Sequence, residues 1–401
     1  MTRDDAPLPV ACVSVSSALG GAERVLLEFA ARAPAHGVAP TVLLPKPGPL
    51  LDALAAAGVA AVVAPAPERF LGLSQRTGLA ASDLPAFALG VRAWARAIGK
   101  AMPPGTGVLY SNGFKAHLAC GLVGGPRRVW HLHEFPPEGV GLLWRALGAA
   151  LPHATIAVSH AVEEAWRLPA GLRPRVVLNG VDLERFAPAP RTFRIHDQLG
   201  LPHEARLIGM PAVFAKWKGQ LLVIEAFERA AHLLPGVHLI IVGGPIYDTS
   251  AERGYAEEVV RRVRRSSTTG EHVAHPLNDR IHFLRFDPEP WRFYPEFDLA
   301  VHFSTRAEPF GRVIAEAMAC GVPVVAAKAG GPLEIVEEAV TGWLVPPGDT
   351  AALAAAMIRA METDLGPLRA AARRRAEARF SSDRQAAEAA AVLRGAAGRG
   401  D

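Results

Sequence analysis

Leu299-Ala300-Val301-His302-Phe303-Ser304-Thr305-Arg306-Ala307-Glu308-Pro309-Phe310-Gly311-Arg312-Val313-Ile314-Ala315-Glu316-Ala317-Met318-Ala319-Cys320-Gly321-Val322-Pro323-Val324-Val325 reads as one strand–loop–helix–strand unit. Residues 299–303 form a short apolar run of the kind found in a strand buried on both faces. Pro309 cannot continue a helix back through Glu308, which places Glu308 on a loop. Gly311 allows close backbone approach, and the helix is expected to start there and run to Cys320. Its open N–H groups and positive dipole end suit a diphosphate. Glu316, just over one turn into the helix, can accept two hydrogen bonds from vicinal hydroxyls such as those of a ribose. Glu308, ahead of the helix, would face whatever group lies beyond the phosphate.

The same alternation extends outward on both sides. Residues 206–210, 237–242 and 281–284 are further strand patterns, with helices expected over 220–231 and 255–265. In the first half, 10–15, 41–44, 60–64, 107–110, 128–130 and 154–158 read as strands, and 22–33 and 86–102 as helices. Strand alternating with helix argues for α/β domains with parallel sheets covered on both faces. Asn179-Gly180-Val181-Asp182 and the prolines that follow at 188, 190 and 202 mark a boundary. The expected organisation is two doubly wound domains, 1–179 and 180–377, and a C-terminal helix within 378–401 whose glycine-rich end frays. Such sheets bind ligands beyond the carboxyl ends of their strands, so two facing sheets would make a cleft that holds the chemistry.

Composition narrows the class. Of 401 residues, 50% are hydrophobic and 20% charged, a chain long enough to bury a large core without staples. Three scattered cysteines, Cys12, Cys120 and Cys320, supply neither a disulfide framework nor a zinc site and point to a reducing compartment. The start, Met1-Thr2-Arg3-Asp4-Asp5, lacks the basic and apolar regions of a signal peptide. No apolar stretch reaches the roughly 20 residues of a membrane span. The formal charge of +4 divides into +5 for residues 1–179 and −1 for the rest, which fits an anionic substrate or membrane surface better than nucleic acid. Asp-x-Asp, Gly-x-Gly-x-x-Gly, the phosphate-binding loop of P-loop kinases and Gly-x-Ser-x-Gly do not occur.

Taken singly, Glu308 and Glu316 would each read as a solvated surface glutamate. The combination of Glu-x7-Glu with Pro309-Phe310-Gly311 between, then Gly321-Val322-Pro323-Val324-Val325 and Gly330-Gly331, is much more specific. It resembles the donor-binding signature of family 4 glycosyltransferases, retaining enzymes of the GT-B architecture. The likeness continues through Thr341-Gly342-Trp343-Leu344-Val345-Pro346-Pro347-Gly348-Asp349, Trp217-Lys218-Gly219-Gln220 and Ile241-Val242-Gly243-Gly244-Pro245.

The resemblance implies a role for each matching residue. Glu308 would contact the transferred sugar, Glu316 the nucleotide ribose, and the backbone of Phe310, Gly311, Arg312 and Val313 the sugar hydroxyls and phosphate. Lys218 would stabilise the leaving diphosphate. In the family an arginine five residues earlier completes that clamp. Here Val213 stands in its place, with Lys216 or Arg312 as candidate substitutes. Gly243 and Arg285 would border the donor, the latter near the base. Gly20 and Gly21 match an acceptor-side loop whose second glycine donates to the donor phosphate when the cleft closes. In His131-Leu132-His133-Glu134, metal binding is the rival reading, although no third ligand is evident. The family's active-site histidine matches His133, with Glu134 towards the acceptor and Asn112 a further acceptor contact.

The expected activity is metal-independent transfer, with retention, of a hexosyl-type sugar from a nucleoside diphosphate sugar to a glycan, lipid-linked or small-molecule acceptor, without a resident cofactor. A nucleotide-sugar epimerase of the same fold and a non-catalytic nucleotide-sugar-binding protein are the alternatives. The expected location is the cytoplasm. Arg92, Arg96 and Lys100 around Trp94, and the run Arg261, Arg262, Arg264, Arg265, offer peripheral contact with the inner face of the membrane.

Overall fold

Strands β1 (Leu8–Ser14), β2 (Val38–Leu44), β3 (Ala61–Val63), β4 (Val108–Asn112), β5 (Arg127–Leu132), β6 (Ala154–Ala157) and β7 (Arg175–Val176) form one parallel sheet in the order β3-β2-β1-β4-β5-β6-β7. Strands β8 (Arg206–Pro211), β9 (Val237–Val242), β10 (Ile281–Leu284), β11 (Leu299–His302), β12 (Val324–Ala327) and β13 (Gly342–Val345) form a second, ordered β10-β9-β8-β11-β12-β13. All pairings within both sheets are parallel. This computed structural model describes residues 6–73, 81–137, 141–244, 250–265, 278–285, 287 and 289–398. Pro245 and the glycine-rich tail at 399–401 lie outside the described residues.

The chain divides into two compact units: residues 1–180 with 382–401, and 181–381. In the first, β1 shows why a continuous apolar run was needed. Val10 and Cys12 enter one core with Leu26 and Phe29, while Ala11 and Val13 enter another with Trp94 and Ala116. Successive side chains thus meet helices on opposite faces of the sheet, the requirement of a strand covered on both sides. The helix Ser382–Ala396 belongs to the first core, burying Ala386, Ala389, Ala390 and Leu393 beside Leu26 and Phe29. Its Gln385 Oε1 accepts from the Gly180 N–H at 2.9 Å, and Asp383 pairs with Arg32 at 3.2 Å.

In the helix Leu84–Ala101, Trp94 is fully buried and donates from Nε1 to the Ala64 carbonyl at 3.0 Å. Arg92, Arg96 and Lys100 are exposed, so the basic stripe of the sequence reading is present but its aromatic residue serves the core. In the other basic run, Arg262 pairs with Glu228 at 2.6 Å, and the side chains of Arg264 and Arg265 lie outside the described residues. Among the described residues no helix is long and apolar enough to cross a membrane.

Strand order reverses between β1 and β4 in the first unit and between β8 and β11 in the second. At such a switch point the loops leaving two neighbouring strands diverge to opposite faces and open a crevice. Asn112 ends β4, the loops holding Gly20 and His133 follow β1 and β5, and those holding Lys218 and Glu308 follow β8 and β11.

Candidate active site

In the second unit, the loop after β8 ends in a single turn, Lys216–Lys218, closed by Gly219. Gly219 has φ 77°, and a Cβ there would overlap the Phe303 carbonyl oxygen. A left-handed residue without a side chain therefore lets this turn lie against the end of β11. The Thr305 N–H ties the two loops further by donating to the Trp217 carbonyl at 2.7 Å. Lys218 is placed over the Trp217 ring, 4.0 Å from its centroid, with Nζ 2.7 Å from Glu308 Oε2.

Glu308 is held from a second side. Its N–H donates to the Ala329 carbonyl and its own carbonyl accepts from Gly331 N–H at 2.8 Å. A Cβ on Gly331 would overlap the Phe310 carbonyl oxygen, so the close approach of these segments depends on glycine. Oε2 also accepts from Ser304 Oγ at 3.0 Å and lies 3.2 Å from His302 Nε2. Burial by itself would push the Glu308 carboxyl up. The Lys218 charge and the His302 hydrogen bond outweigh it and hold the group below the usual carboxylate range, so it is ionised near neutrality.

The helix Arg312–Ala319 begins at Gly311, and Phe310 is buried with its ring edge-on to Phe380 at 6.0 Å. Val313 supplies a carbonyl to the Tyr294 hydroxyl at 3.3 Å. Glu316 accepts from Tyr294 Oη at 2.9 Å through Oε2 and from Arg312 Nε at 2.7 Å through Oε1. Burial and the adjacent Glu316 push the Tyr294 hydroxyl well up, keeping it a donor. Each Glu316 oxygen retains further lone-pair capacity.

Of the two candidates for the missing cation, Lys216 is the more exposed and stands apart from the Lys218–Glu308 pair. Its side chain is 79% exposed and pairs with Glu258 at 3.8 Å, because in a 3-10 turn residues two apart are rotated about 120° from each other. Arg312 is committed to Glu316 through Nε, and Val213 offers its carbonyl to Gln220 Nε2 at 2.7 Å. Gly243, at the end of β9, donates its N–H to the Leu284 carbonyl at 3.0 Å. Arg285 is exposed after the edge strand β10, and among the described residues no hydrogen bond or ion pair joins it to Lys218, Glu308 or Glu316.

In the first unit, Gly20 caps the helix Gly21–Arg32, whose first turn buries Glu23 while Gly21 is exposed. Asn112 Oδ1, at the end of β4, is 2.8 Å from His133 Nε2, so His133 donates and its Nδ1 is the acceptor nitrogen. His133 is half-buried, its ring tilted 46° to that of His131 with centroids 3.9 Å apart, and desolvation lowers its pKa to about 3. His131 Nδ1 meets Tyr110 Oη at 2.5 Å, and burial lowers its pKa well below the ordinary imidazole value. Glu134 accepts from Trp166 Nε1 at 3.0 Å through its carbonyl and borders, with His133, His117 and Gly113, a cavity of about 10 Å³. Among the described residues, no three His, Cys, Asp or Glu side chains converge where they could hold a metal ion.

The structure therefore joins Lys218 to Glu308, links Glu316 to Arg312, and pairs His133 with Asn112. Sequence reading missed His302, Ser304 and Tyr294. For the first two a signal existed: polar residues two apart at the end of an otherwise apolar strand face the same side. For Tyr294 there was none.

A family model for group 1 glycosyl transferases matches residues 192–379, and one for glycosyltransferase family 4 matches residues 19–185. The chain is 33% identical over 196 residues to D-inositol 3-phosphate glycosyltransferase 1 of Catenulispora acidiphila, a match covering 48% of the chain and 44% of that protein. It is 29% identical over 178 residues to the lipopolysaccharide 1,2-N-acetylglucosaminetransferase of Salmonella typhimurium, covering 44% of each. The chain thus spans less than half the length of these curated relatives. Among solved structures, Anabaena HepE in complex with UDP-glucose superposes with TM-score 0.77 at 26% identity, covering 95% of this chain and 99% of that one.

Proposed function

We propose that this chain, which belongs to the family 4 glycosyltransferases of the GT-B fold, moves a hexosyl sugar from a nucleoside diphosphate donor to an acceptor hydroxyl. The observation that carries this reading is the Lys218–Glu308 ion pair beside the start of the helix Arg312–Ala319. An ammonium and a helix N-terminus are the two groups needed to bind a diphosphate and to stabilise the charge it gains on leaving. An ionised carboxylate next to them is suited to accept hydrogen bonds from sugar hydroxyls. Glu316 would take the ribose diol, the backbone from Phe310 to Val313 the phosphate and sugar, and Gly243 and Arg285 the base side.

In this reading the first unit holds the acceptor through Gly20, Asn112, His133 and Glu134. His133, neutral and with Nδ1 as acceptor, can receive a hydroxyl hydrogen bond. Transfer proceeds with retention and without a divalent metal, the leaving phosphate helping to deprotonate the acceptor. The acceptor is a glycan, a lipid-linked or a small-molecule hydroxyl, met in the cytoplasm or at the inner membrane face through the exposed Arg92, Arg96 and Lys100.

The test is calorimetric titration of the purified chain with UDP-glucose, UDP-N-acetylglucosamine and GDP-mannose, followed by mass analysis of products across an acceptor panel in the presence and absence of a chelator. Binding of one donor and a mass gain of one hexosyl unit on an acceptor, unaffected by the chelator, is the expected result. Binding with no product on any acceptor would point to a nucleotide-sugar-binding protein instead.

A further inference from the structure

Glu308 Oε2 is the target of three donors: Lys218 Nζ at 2.7 Å, Ser304 Oγ at 3.0 Å and His302 Nε2 at 3.2 Å. Oε1 receives none from the described residues, and the side chain is 12% exposed. The three donors are not equivalent. Lys218 sits on a turn at the end of a flexible stem, and its compact charge does not select between two carboxylate oxygens. His302 closes β11 and is 3% exposed, with Ser304 two residues on and 1% exposed. Both are set by the central part of the sheet. Among the described residues His302 Nδ1 is buried without a partner, so a proton there would be orphaned. A proton on Nε2 has Glu308 Oε2 as its acceptor, so His302 donates there.

An ammonium that also binds a diphosphate is drawn towards the larger negative charge. A buried carboxylate abandoned by its cation is unfavourable unless other donors remain. We propose that His302, together with Ser304, is a positioning pair that fixes Glu308 through Oε2, presents Oε1 to the donor sugar, and holds it there while Lys218 engages the diphosphate. This rests on the donor-binding reading above.

The experiment compares the full chain with its His302→Leu, His302→Gln, Ser304→Ala and Glu308→Gln variants. Each is titrated with UDP and with UDP-glucose, UDP-N-acetylglucosamine and GDP-mannose. His302→Leu should weaken nucleotide-sugar binding on the order of tenfold, the scale of one hydrogen bond to a charged group, as Glu308→Gln does. UDP affinity should stay within about twofold, since UDP lacks the sugar, and His302→Gln, which restores an N–H donor, should recover most of the loss. Ser304→Ala should show the same sugar-specific loss at smaller amplitude, and it guards against a folding defect at position 302. A native chain that binds none of the panel overturns the donor reading and this inference together. A native chain that binds, with His302→Leu either indistinguishable from it or weakened equally towards UDP, overturns this inference alone.

Discussion

A carboxylate withdrawn from water stays charged only if donors replace the water, and Glu308 shows how strongly one cation can decide the matter. Burial opposes its ionisation, and Lys218 is the largest influence in the other direction. Lys218→Met should therefore move the acid limb of the pH–rate profile upward, because the remaining hydrogen bonds do not match the lost charge. A limb that stays in place would deny Lys218 this control. The two glutamates separate by what they would touch. Glu308→Ala should abolish transfer while nucleotide affinity changes little. Glu316→Ala, which removes the acceptor for Tyr294 and Arg312, should weaken UDP binding about tenfold or more, the scale of lost charge-assisted bonds. Calorimetry beside product analysis checks both, and identical effects of the two variants would contradict the division of labour. These residues could be singled out in the sequence because their neighbours, Pro309, Phe310, Gly311 and Gly219, carry a recognisable pattern. His302 and Ser304 carried only the signal of two polar residues on one side of a strand end, and their role emerges once they share an oxygen with Lys218, distant in sequence.

At the scale of the element, the helix Ser382–Ala396 illustrates what periodicity does and does not convey. Its alanine-rich pattern marks a helix, and the apolar stripe at 386, 389, 390 and 393 names the face to be covered. The chain alone does not say that the covering surface is formed by Leu26 and Phe29, more than 350 residues away in sequence. Leu393 is fully buried there. Leu393→Ala should cost about 2–5 kcal/mol and lower the melting temperature without altering nucleotide affinity. A melting curve unchanged within error would mean that the helix contributes no stability through this face. The turn at 216–218 gives the opposite lesson. Lys216 and Lys218 are near neighbours in sequence, yet one is exposed beside Glu258 and the other is packed against Glu308. Spacing alone could not assign which lysine turns inward, since a single 3-10 turn closed by Gly219 rotates them apart.

For the molecule as a whole, the first unit places His117, His131 and His133 in surroundings that keep them neutral, with pKa values lowered by burial and, for His133, to about 3. The unfolded chain binds protons on these rings from about pH 6.5 downward, while the folded one resists. The stability is therefore fully present above that value and falls as pH drops from 6.5 towards 3. Calorimetric melting between pH 7.5 and 5 should show a steady fall in melting temperature. His117→Phe, whose ring can keep the 4.5 Å stack on Trp130, should flatten that fall. A slope equal to or steeper than that of the native chain would exclude His117 as a contributor.

Hydrophobic period, turn residues and the Glu-x7-Glu spacing are local properties, readable along the chain because each reports the conformation of its own few residues. They determined the two parallel-sheet domains and the family. Which donor meets which acceptor was decided by strand order. The reversal between β8 and β11 brings Lys218 to Glu308 across 90 positions of sequence, and Glu316 meets a tyrosine 22 residues before it, on the other side of β11 in the chain. Those contacts follow from packing two sheet faces at once, a condition satisfied by the whole fold and by no segment of it.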